Sequence, residues 1–319
     1  MDQAQVFRFL AEHQSRGEAC VLVTVCAVEG SSMRNPGTVM GVADDGSFAG
    51  SLSGGCIETA VVAEAQAALR AGQSRVVRFG AGSPYLDIKL PCGGGLDIHF
   101  QPLDGPDLVT QALAATAARQ PFSITLGPDQ AAIVPGFRET AFDPQSGVGT
   151  FGHWPAPRLL IVGHGAGVEA LSGLARQLDC EVEVLTPDER MRAQLEAHSV
   201  KVTRLTRTSQ TDLLASDPWT AIVFLFHDHD WEIDLMARAL ALPHFYLGAM
   251  GGRRAHAMRR EALGAKGISE AQMATIRAPI GVFHSSRDPH TLALSTLAEV
   301  IRTYQDADFE ASPEAALGR

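Results

Sequence analysis

The stretch LLIVGHGAGVEAL, Leu159 to Leu171, places an apolar run, a turn with glycine at every second position and a helix-forming run in direct succession. Gly163, Gly165 and Gly167 fall where a strand becomes a helix. Glycines there permit a tight turn and let backbone N–H groups approach a phosphate, while the helix N-terminus favours negative charge. This predicts a Rossmann-like unit. Downstream, Val182 to Leu185, Val200 to Leu205, Ala221 to Phe226 and His244 to Leu247 are further candidate strands, separated by helical stretches. Several are too apolar for a sheet with one wet face, so the expected architecture is α/β with a doubly wound parallel sheet. Binding of a dinucleotide is a separate question. Val168 occupies the third glycine position of the usual fingerprint, and the second strand ends in Thr186-Pro187 rather than an acidic residue. Asp188 and Glu189 follow closely enough to suit a ribose, and a tight turn with no nucleotide fits the same residues.

Working back toward the N-terminus, residues 141–157 are rich in Gly and Pro and end in Pro155-Ala156-Pro157, which reads as a linker. Before it, an amphipathic helix is expected over Gln3 to His13, with Val6, Phe9 and Leu10 on one face. Strands are expected at Val21 to Val28, Thr38 to Val42, Arg75 to Phe79 and Leu96 to Gln101, and an Ala-rich helix at Ile57 to Leu69. The first half is thus an α+β domain over residues 1–140 whose glycines gather in loops. The parallel-sheet domain spans 158–305, and an acidic, Ala-rich tail covers 306–319.

Composition narrows the classes. With 319 residues, 45% hydrophobic and 19% charged, the chain can bury the cores of two ordinary domains. A formal net charge of −10 gives no general attraction to nucleic acid or anionic lipid. No run approaches the roughly 20 apolar residues that span a bilayer, and the N-terminus does not read as a signal peptide. The cysteines, Cys20, Cys26, Cys56, Cys92 and Cys180, form an odd, scattered set with no CxxC pair, as expected in a reducing cytoplasm.

Several loops carry residues suited to chemistry. GSLSGGCIE (Gly50 to Glu58) sets Cys56 among small residues just before a helix. Ser53, Gly54 and Gly55 leave room for a ligand to touch backbone, and a thiol at a helix N-terminus tends toward thiolate. An inert small residue at a helix start is the equal alternative. Cys92 lies in a similarly open PCGGG. Cys20, Cys26 and Cys180 adjoin or lie within apolar runs and read as core filler. EGSSMRNPG (Glu29 to Gly37) offers hydroxyls and Arg34 to an oxyanion, or forms a plain surface turn. FLFHDHDWEID (Phe224 to Asp234) puts His227, Asp228, His229 and Asp230 at the end of a strand, where ligands of open α/β sheets bind. Tight metal binding there is disfavoured because alternate strand residues point opposite ways. GAMGGRR brings Arg253 and Arg254 to a helix start, either facing an anion or lying on exposed surface.

Together and in this order, EGSSMRNPG, GSLSGGCIE and CGGG, then GHGAGVEAL, HDHD, GAMGGRR, APIG and ALSTLAEVI, resemble the XdhC/CoxI family over most of the chain. The resemblance implies an XdhC-type N-terminal domain followed by a Rossmann domain. It implies a chaperone rather than a turnover enzyme, binding the molybdenum cofactor as molybdopterin or its dinucleotide form. The cofactor would be protected, sulfurated with a cysteine desulfurase and delivered to the apo-enzyme of a molybdenum hydroxylase of the xanthine dehydrogenase type. A homodimer is also implied. Carried over by residue, the motif positions are Ser31, Ser32, Arg34, Gly54, Gly55, Cys56, Glu58, Cys92, Gly93, Gly163, Gly165, His227, Asp228, Gly248, Arg253 and Arg254; all but Cys92 and Gly93, joined by Ser53 and Gly167 from the loops themselves, are expected to bind the cofactor, and Cys56 and Cys92 are the candidate reactive thiols. Cys56 is the expected molybdenum contact. The chain departs from the family pattern at Met33, at Thr186-Pro187-Asp188, at Gly252 and after APIG, mostly in the second domain. Two other readings suit the same residues: an NAD(P)-dependent oxidoreductase using the 163–167 loop, and an assembly scaffold without cofactor.

Overall fold

The computed structural model describes residues 3–32, 34–83, 93–128, 130–227, 229–283 and 288–310. The chain divides into two compact units, residues 1–155 and 156–319.

The first unit begins with α1 (Gln3–Ser15), which buries Val6, Phe7 and Leu10. There follow β1 (Cys20–Glu29), β2 (Val39–Ala43), β3 (Phe48–Ala49), α2 (Glu58–Ala71), β4 (Arg75–Gly80), β5 (Gly95–Pro102) and α3 (Asp107–Ala117). The strands form an antiparallel sheet in the order β3-β2-β1-β5-β4. Central β1 is buried on both faces because alternate residues enter different layers. Val21, Val23 and Val25 pack with Ile57, Val61 and Ala65 at α2. Cys20, Leu22 and Cys26 pack with Phe7 and Leu10 of α1 and Val109 of α3.

A second antiparallel sheet completes this unit. It contains β6 (Phe122–Leu126), β7 (Ala131–Pro135), β8 (Ala141–Asp143) and β9 (Val148–His153), in the order β7-β6-β9-β8. The expected linker at 141–157 is therefore corrected: residues 141–153 are two sheet strands joined by a turn, and Phe151 is fully buried with Ile124 and Phe122. The glycines that suggested a linker answer close packing. A Cβ on Gly152 would lie 2.2 Å from the Arg138 carbonyl oxygen, and one on Gly149 would lie 2.7 Å from the Phe151 ring.

The second unit alternates β10 (Arg158–Gly163), α4 (Ala166–Gln177), β11 (Glu181–Thr186), α5 (Glu189–Ala197), β12 (Lys201–Arg204), β13 (Thr220–Leu225), α6 (Ile233–Ala239) and β14 (Tyr246–Ala249), then adds α7 (Arg253–Ala265), α8 (Glu270–Ala274) and α9 (Pro289–Gln305). All strands are parallel, in the order β12-β11-β10-β13-β14. Both faces are covered. Leu159 and Ile161 pack with Val168 of α4 and Leu297 of α9, whereas Leu160 and Val162 pack with Leu235 of α6 and Leu263 of α7. Helix α9 starts where Asp288-Pro289 directs it, the Asp288 carboxylate accepting from the Thr291 N–H at 2.9 Å. The expected tail is shorter at its near end, since Phe309 packs its ring against Tyr304, Phe245 and Trp219.

The placement of β9 is open to a direct test. Phe151→Ala should destabilise the protein by about 3–5 kcal/mol, the usual cost of emptying a buried aromatic site. Denaturant unfolding measures this, and a loss near zero would restore the linker reading.

Candidate functional site

Strand polarity decides where the first unit's loops emerge. Thr24 of β1 pairs with Val39, Gly41 with Ala49 of β3, and Glu29 with Gly95, which also pairs with Gly80 of β4. Strands β1, β3 and β4 thus run the same way, and the loops that follow them leave one end of the sheet. Those loops hold EGSSMRNPG, GSLSGGCIE and CGGG. Arg78 of β4 braces this end. Its guanidinium donates to Asp97 at 3.0 Å and to the Ala81 carbonyl at 2.9 Å, and it pairs with Glu29. Gly94 is wedged between the carbonyls of Glu29 and Ser31, each 2.7 Å from where a Cβ would stand. Ser31 is exposed, and the Ser32 hydroxyl closes a small turn onto the backbone of Arg34. Gly93 is described, with φ of 70°; Cys92 lies outside the described residues.

The SGGC loop is organised from inside by Glu58. One carboxylate oxygen accepts from the Ser51 hydroxyl at 2.8 Å and from the N–H groups of Leu52 and Ser53 at 3.1 and 2.9 Å. The other accepts from the Ser53 hydroxyl at 2.7 Å and from the N–H groups of Gly55 and Ile57 at 2.9 and 3.2 Å. Ser53 Oγ in turn accepts from the N–H groups of Cys56 and Ile57, both at 3.0 Å, and the Ser51 hydroxyl accepts from Gly54. Gly54 and Gly55 have φ of 77° and 109°, a region other residues rarely adopt. Burial alone would raise the Glu58 pKa, but donation from Ser53 and Ser51 outweighs it and holds the carboxyl at about 2, against an ordinary 4.5. Glu58, expected to meet the cofactor, is thus the clamp of its loop, and the N–H groups of residues 52–57 serve the loop itself. What this loop presents outward is the exposed Cys56 side chain.

In the second unit, three motifs stand at the carboxyl ends of adjacent strands: 163–167 after β10, 226–229 after β13 and 249–254 after β14. The chain reverses sides between β10 and β13, the crevice where open α/β sheets bind ligands. The glycines there divide by role. A Cβ on Gly163 would lie 2.4 Å from the Leu225 carbonyl, and one on Gly248, inside β14, would lie 2.6 Å from Ile280 and Tyr246. Gly248 is therefore corrected from ligand contact to packing. A Cβ on Gly167 would touch Leu292 at 3.7 Å. Gly165 differs: its φ is 89°, and the place where a Cβ would stand has no neighbour within 4 Å. It caps α4, whose leading N–H groups have no earlier carbonyl in the helix to bond.

Around this mouth, the His164 ring lies 5.4 Å from Phe226 and 6.2 Å from His227, and Phe226 stacks on Trp231. His227 is exposed, as are Arg253 and Arg254 at the start of α7; Asp228 and the His229 side chain lie outside the described residues. One pair escaped the reading of the sequence. Fully buried Arg259 of α7 donates twice to Glu232, at 3.0 and 2.9 Å, and once to the Met250 carbonyl at 2.9 Å. It fastens the loop after β13 to the loop after β14. Nothing local marks it, since Arg259 sits in the same basic run as exposed Arg253 and Arg254. The acidic residues offered to a ribose are engaged elsewhere: Asp188 caps α5 by accepting from the N–H groups of Arg190 and Met191, and Glu189 pairs with Arg192 and Arg204. Among the described residues, no group of three His, Cys, Asp or Glu side chains could hold a metal ion.

Two measurements follow from this geometry. Glu58→Gln removes the charge that six donors surround, so the variant should be less stable than the parent at neutral pH. A carboxylate with a lowered pKa stabilises the fold above its unfolded value and loses that contribution in acid. The difference between the two proteins should therefore shrink as pH falls from 4.5 toward 2; a gap independent of pH would show that the clamp is not ionic. Alkylation at neutral pH should label Cys56 ahead of Cys20, Cys26 and Cys180, whose burial pushes their thiols up to about 11, 12 and 11. Peptide mapping reads the order, and early labelling of any of those three would contradict the burial described.

Comparison with known proteins agrees with both units. Residues 13–80 match the model of the XdhC and CoxI family, and residues 159–300 that of the XdhC Rossmann domain. The chain is 32% identical over 309 residues to the molybdenum cofactor insertion chaperone PaoD of Escherichia coli (strain K12), covering 96% of this chain and 91% of that one. A crystal structure described as a xanthine dehydrogenase from Bacillus halodurans superposes with a TM-score of 0.77 at 20% identity, covering 99% of this chain and all of the other, which shows a shared fold. With two domain models matched in order and a relative aligned nearly end to end, the chain belongs to the XdhC and CoxI family.

Proposed function

We propose that this protein is a molybdenum cofactor chaperone: it binds the cofactor, shields it during sulfuration and hands it to a molybdenum hydroxylase of the xanthine dehydrogenase type. The observation that carries the reading is the exposed Cys56 thiol on a loop made rigid by Glu58. A soft sulfur ligand suits a molybdenum–sulfur centre, and the rigid loop keeps it from folding back into the protein. The near full-length likeness to a molybdenum cofactor insertion chaperone supports the same cargo.

The residues fit such a cargo at two kinds of position. At Gly165 there is open space before the amino end of α4, which suits a phosphate. Arg253 and Arg254 add positive charge at the start of α7, near the carboxyl end of β14. Exposed His227 and the partly exposed ring of Trp231, which is backed by buried Phe226, suit the flat, hydrogen-bonding face of a pterin. The bound cargo supplies the redox chemistry its client enzyme uses. The chaperone's own residues bind, orient and cover it. In this reading the cell's partners are a cysteine desulfurase and the apo-hydroxylase, the protein works in the cytoplasm as a homodimer, and the cofactor is molybdopterin or its dinucleotide form. An NAD(P) oxidoreductase is the weaker reading, because Asp188 and Glu189 are already occupied and Val168 is buried where the third glycine would stand.

Mass spectrometry of small molecules released from anaerobically purified protein tests the cargo. Molybdopterin should appear with the parent and diminish in Gly165→Val, whose side chain enters the phosphate's space. Cys56→Ser should stay folded and activate the client enzyme poorly. Release of a nicotinamide dinucleotide, or full client activation by Cys56→Ser, would overturn the reading.

A further inference from the structure

Helix α4 turns a ridge of small residues outward: Ala166, Ala170 and Gly173 recur at the spacing that keeps them on one helix face, and Ala166 and Gly173 are exposed. Glycine inside a helix is less stable than alanine. Nothing in its own chain asks for one at 173, since a Cβ there would meet no atom within 4 Å. A cavity lies on each side of the ridge. One of about 500 Å³ opens toward α5, and one of about 600 Å³ opens toward Pro289 and His290 at the start of α9. Ser172 lines the first; it is fully buried, and its hydroxyl has no hydrogen-bond partner. A buried hydroxyl left so is costly, and a group entering that cavity from outside the chain would complete it.

Two charges on the same flank are also unanswered. Glu169 and Arg176 both line the cavity toward α5 and are exposed, and among the described residues neither forms an ion pair or a side-chain hydrogen bond. Glu169 stands three residues before Ser172 and Arg176 three residues after Gly173, so the pair is centred on the ridge. Seven residues of helix separate them by about 10 Å along its axis. A two-fold axis through that centre lays a second α4 antiparallel on the first. Each Glu169 then faces the partner's Arg176, both pairs close at once, and the small ridge lets the helices approach. Such a surface, complementary to itself, is what an isologous pair requires. We propose that α4 is the face on which two copies of this chain associate, with Glu169 of each copy paired to the partner's Arg176. This gives the homodimer of the functional reading its surface and is independent of the cargo. Cofactor release tests that reading and self-association tests this one, so the two can fail separately.

Sedimentation equilibrium of the full-length protein measures the association. The parent should behave as two chains at micromolar concentration. Glu169→Arg and Arg176→Glu each set like charges opposite one another twice, and each should weaken association by about ten-fold or more. Both positions are exposed, so circular dichroism should be unchanged. Gly173→Leu should also weaken association, by holding the ridges apart. In an equimolar mixture of the two charge variants, each supplies the charge the other lacks, and two-chain species should return. A parent that stays a single chain at micromolar concentration overturns the proposal. So do charge variants that associate as tightly as the parent, which would place the contact elsewhere on the molecule, and so does a mixture that fails to restore association.

Discussion

Taking a carboxylate out of water costs several kcal/mol unless donors replace its hydration, and this requirement shapes the working loops of both units. Glu58 gathers the hydroxyls of Ser51 and Ser53 and a row of backbone N–H groups around itself, so the SGGC loop takes one conformation. Glu232 is met by Arg259, whose further donor reaches the Met250 carbonyl. Glu299 of α9 accepts from the Tyr246 hydroxyl and the Gly281 N–H, both at 2.7 Å, and so fixes the APIG segment against β14. In each case a buried charge is tied to a loop, and the loop is thereby held. Loops so held can present exposed groups, Cys56 and His227 among them, without relying on those groups for their own order.

Strand direction then determines which loops are neighbours. In an antiparallel sheet successive loops alternate between ends, and the three motif loops of the first unit follow strands that all point one way. In a parallel sheet every strand delivers its carboxyl end to the same side. The motifs after β10, β13 and β14 therefore meet without further device. The two units reach the same result, loops gathered at one end of a sheet, through different hydrogen-bonding patterns.

Glycine shows how sequence and structure part company. Gly163, Gly165, Gly167 and Gly248 look alike as members of motifs. Two of them, Gly163 and Gly248, are small because something else occupies the space, a carbonyl of β13 or Ile280 and Tyr246, while at Gly167 a Cβ would make only an ordinary contact with Leu292 of α9. Only Gly165 faces open space with a backbone turn that excludes most side chains. Motif membership selects the turn; close approach, which depends on distant residues, decides which glycine leaves room for a ligand.

The amino-acid sequence by itself determined the parallel-sheet unit, because strand hydrophobicity and the glycine-spaced turn at 163–167 are local signals read along the chain. It also determined most of the first sheet, the start of α9 at Asp288-Pro289, and the three buried cysteines apart from Cys56, whose neighbours are apolar or small in the chain itself. Tertiary structure alone decided the rest. Residues 141–153 look like a linker until Phe151 is found buried with Phe122 and Ile124 of β6, residues well before it in the chain. Glu58 reads as a ligand residue until its two oxygens are found filled by its own loop. Arg259 is one basic residue in a run of them until Glu232, far along the chain, is found beside it in the core. Gln3 and His153 lie near opposite ends of their unit's sequence and acquire a shared cavity only when α1 and β9 come together. Periodicity and composition report which residues leave water; they carry no record of which distant partner each one meets there.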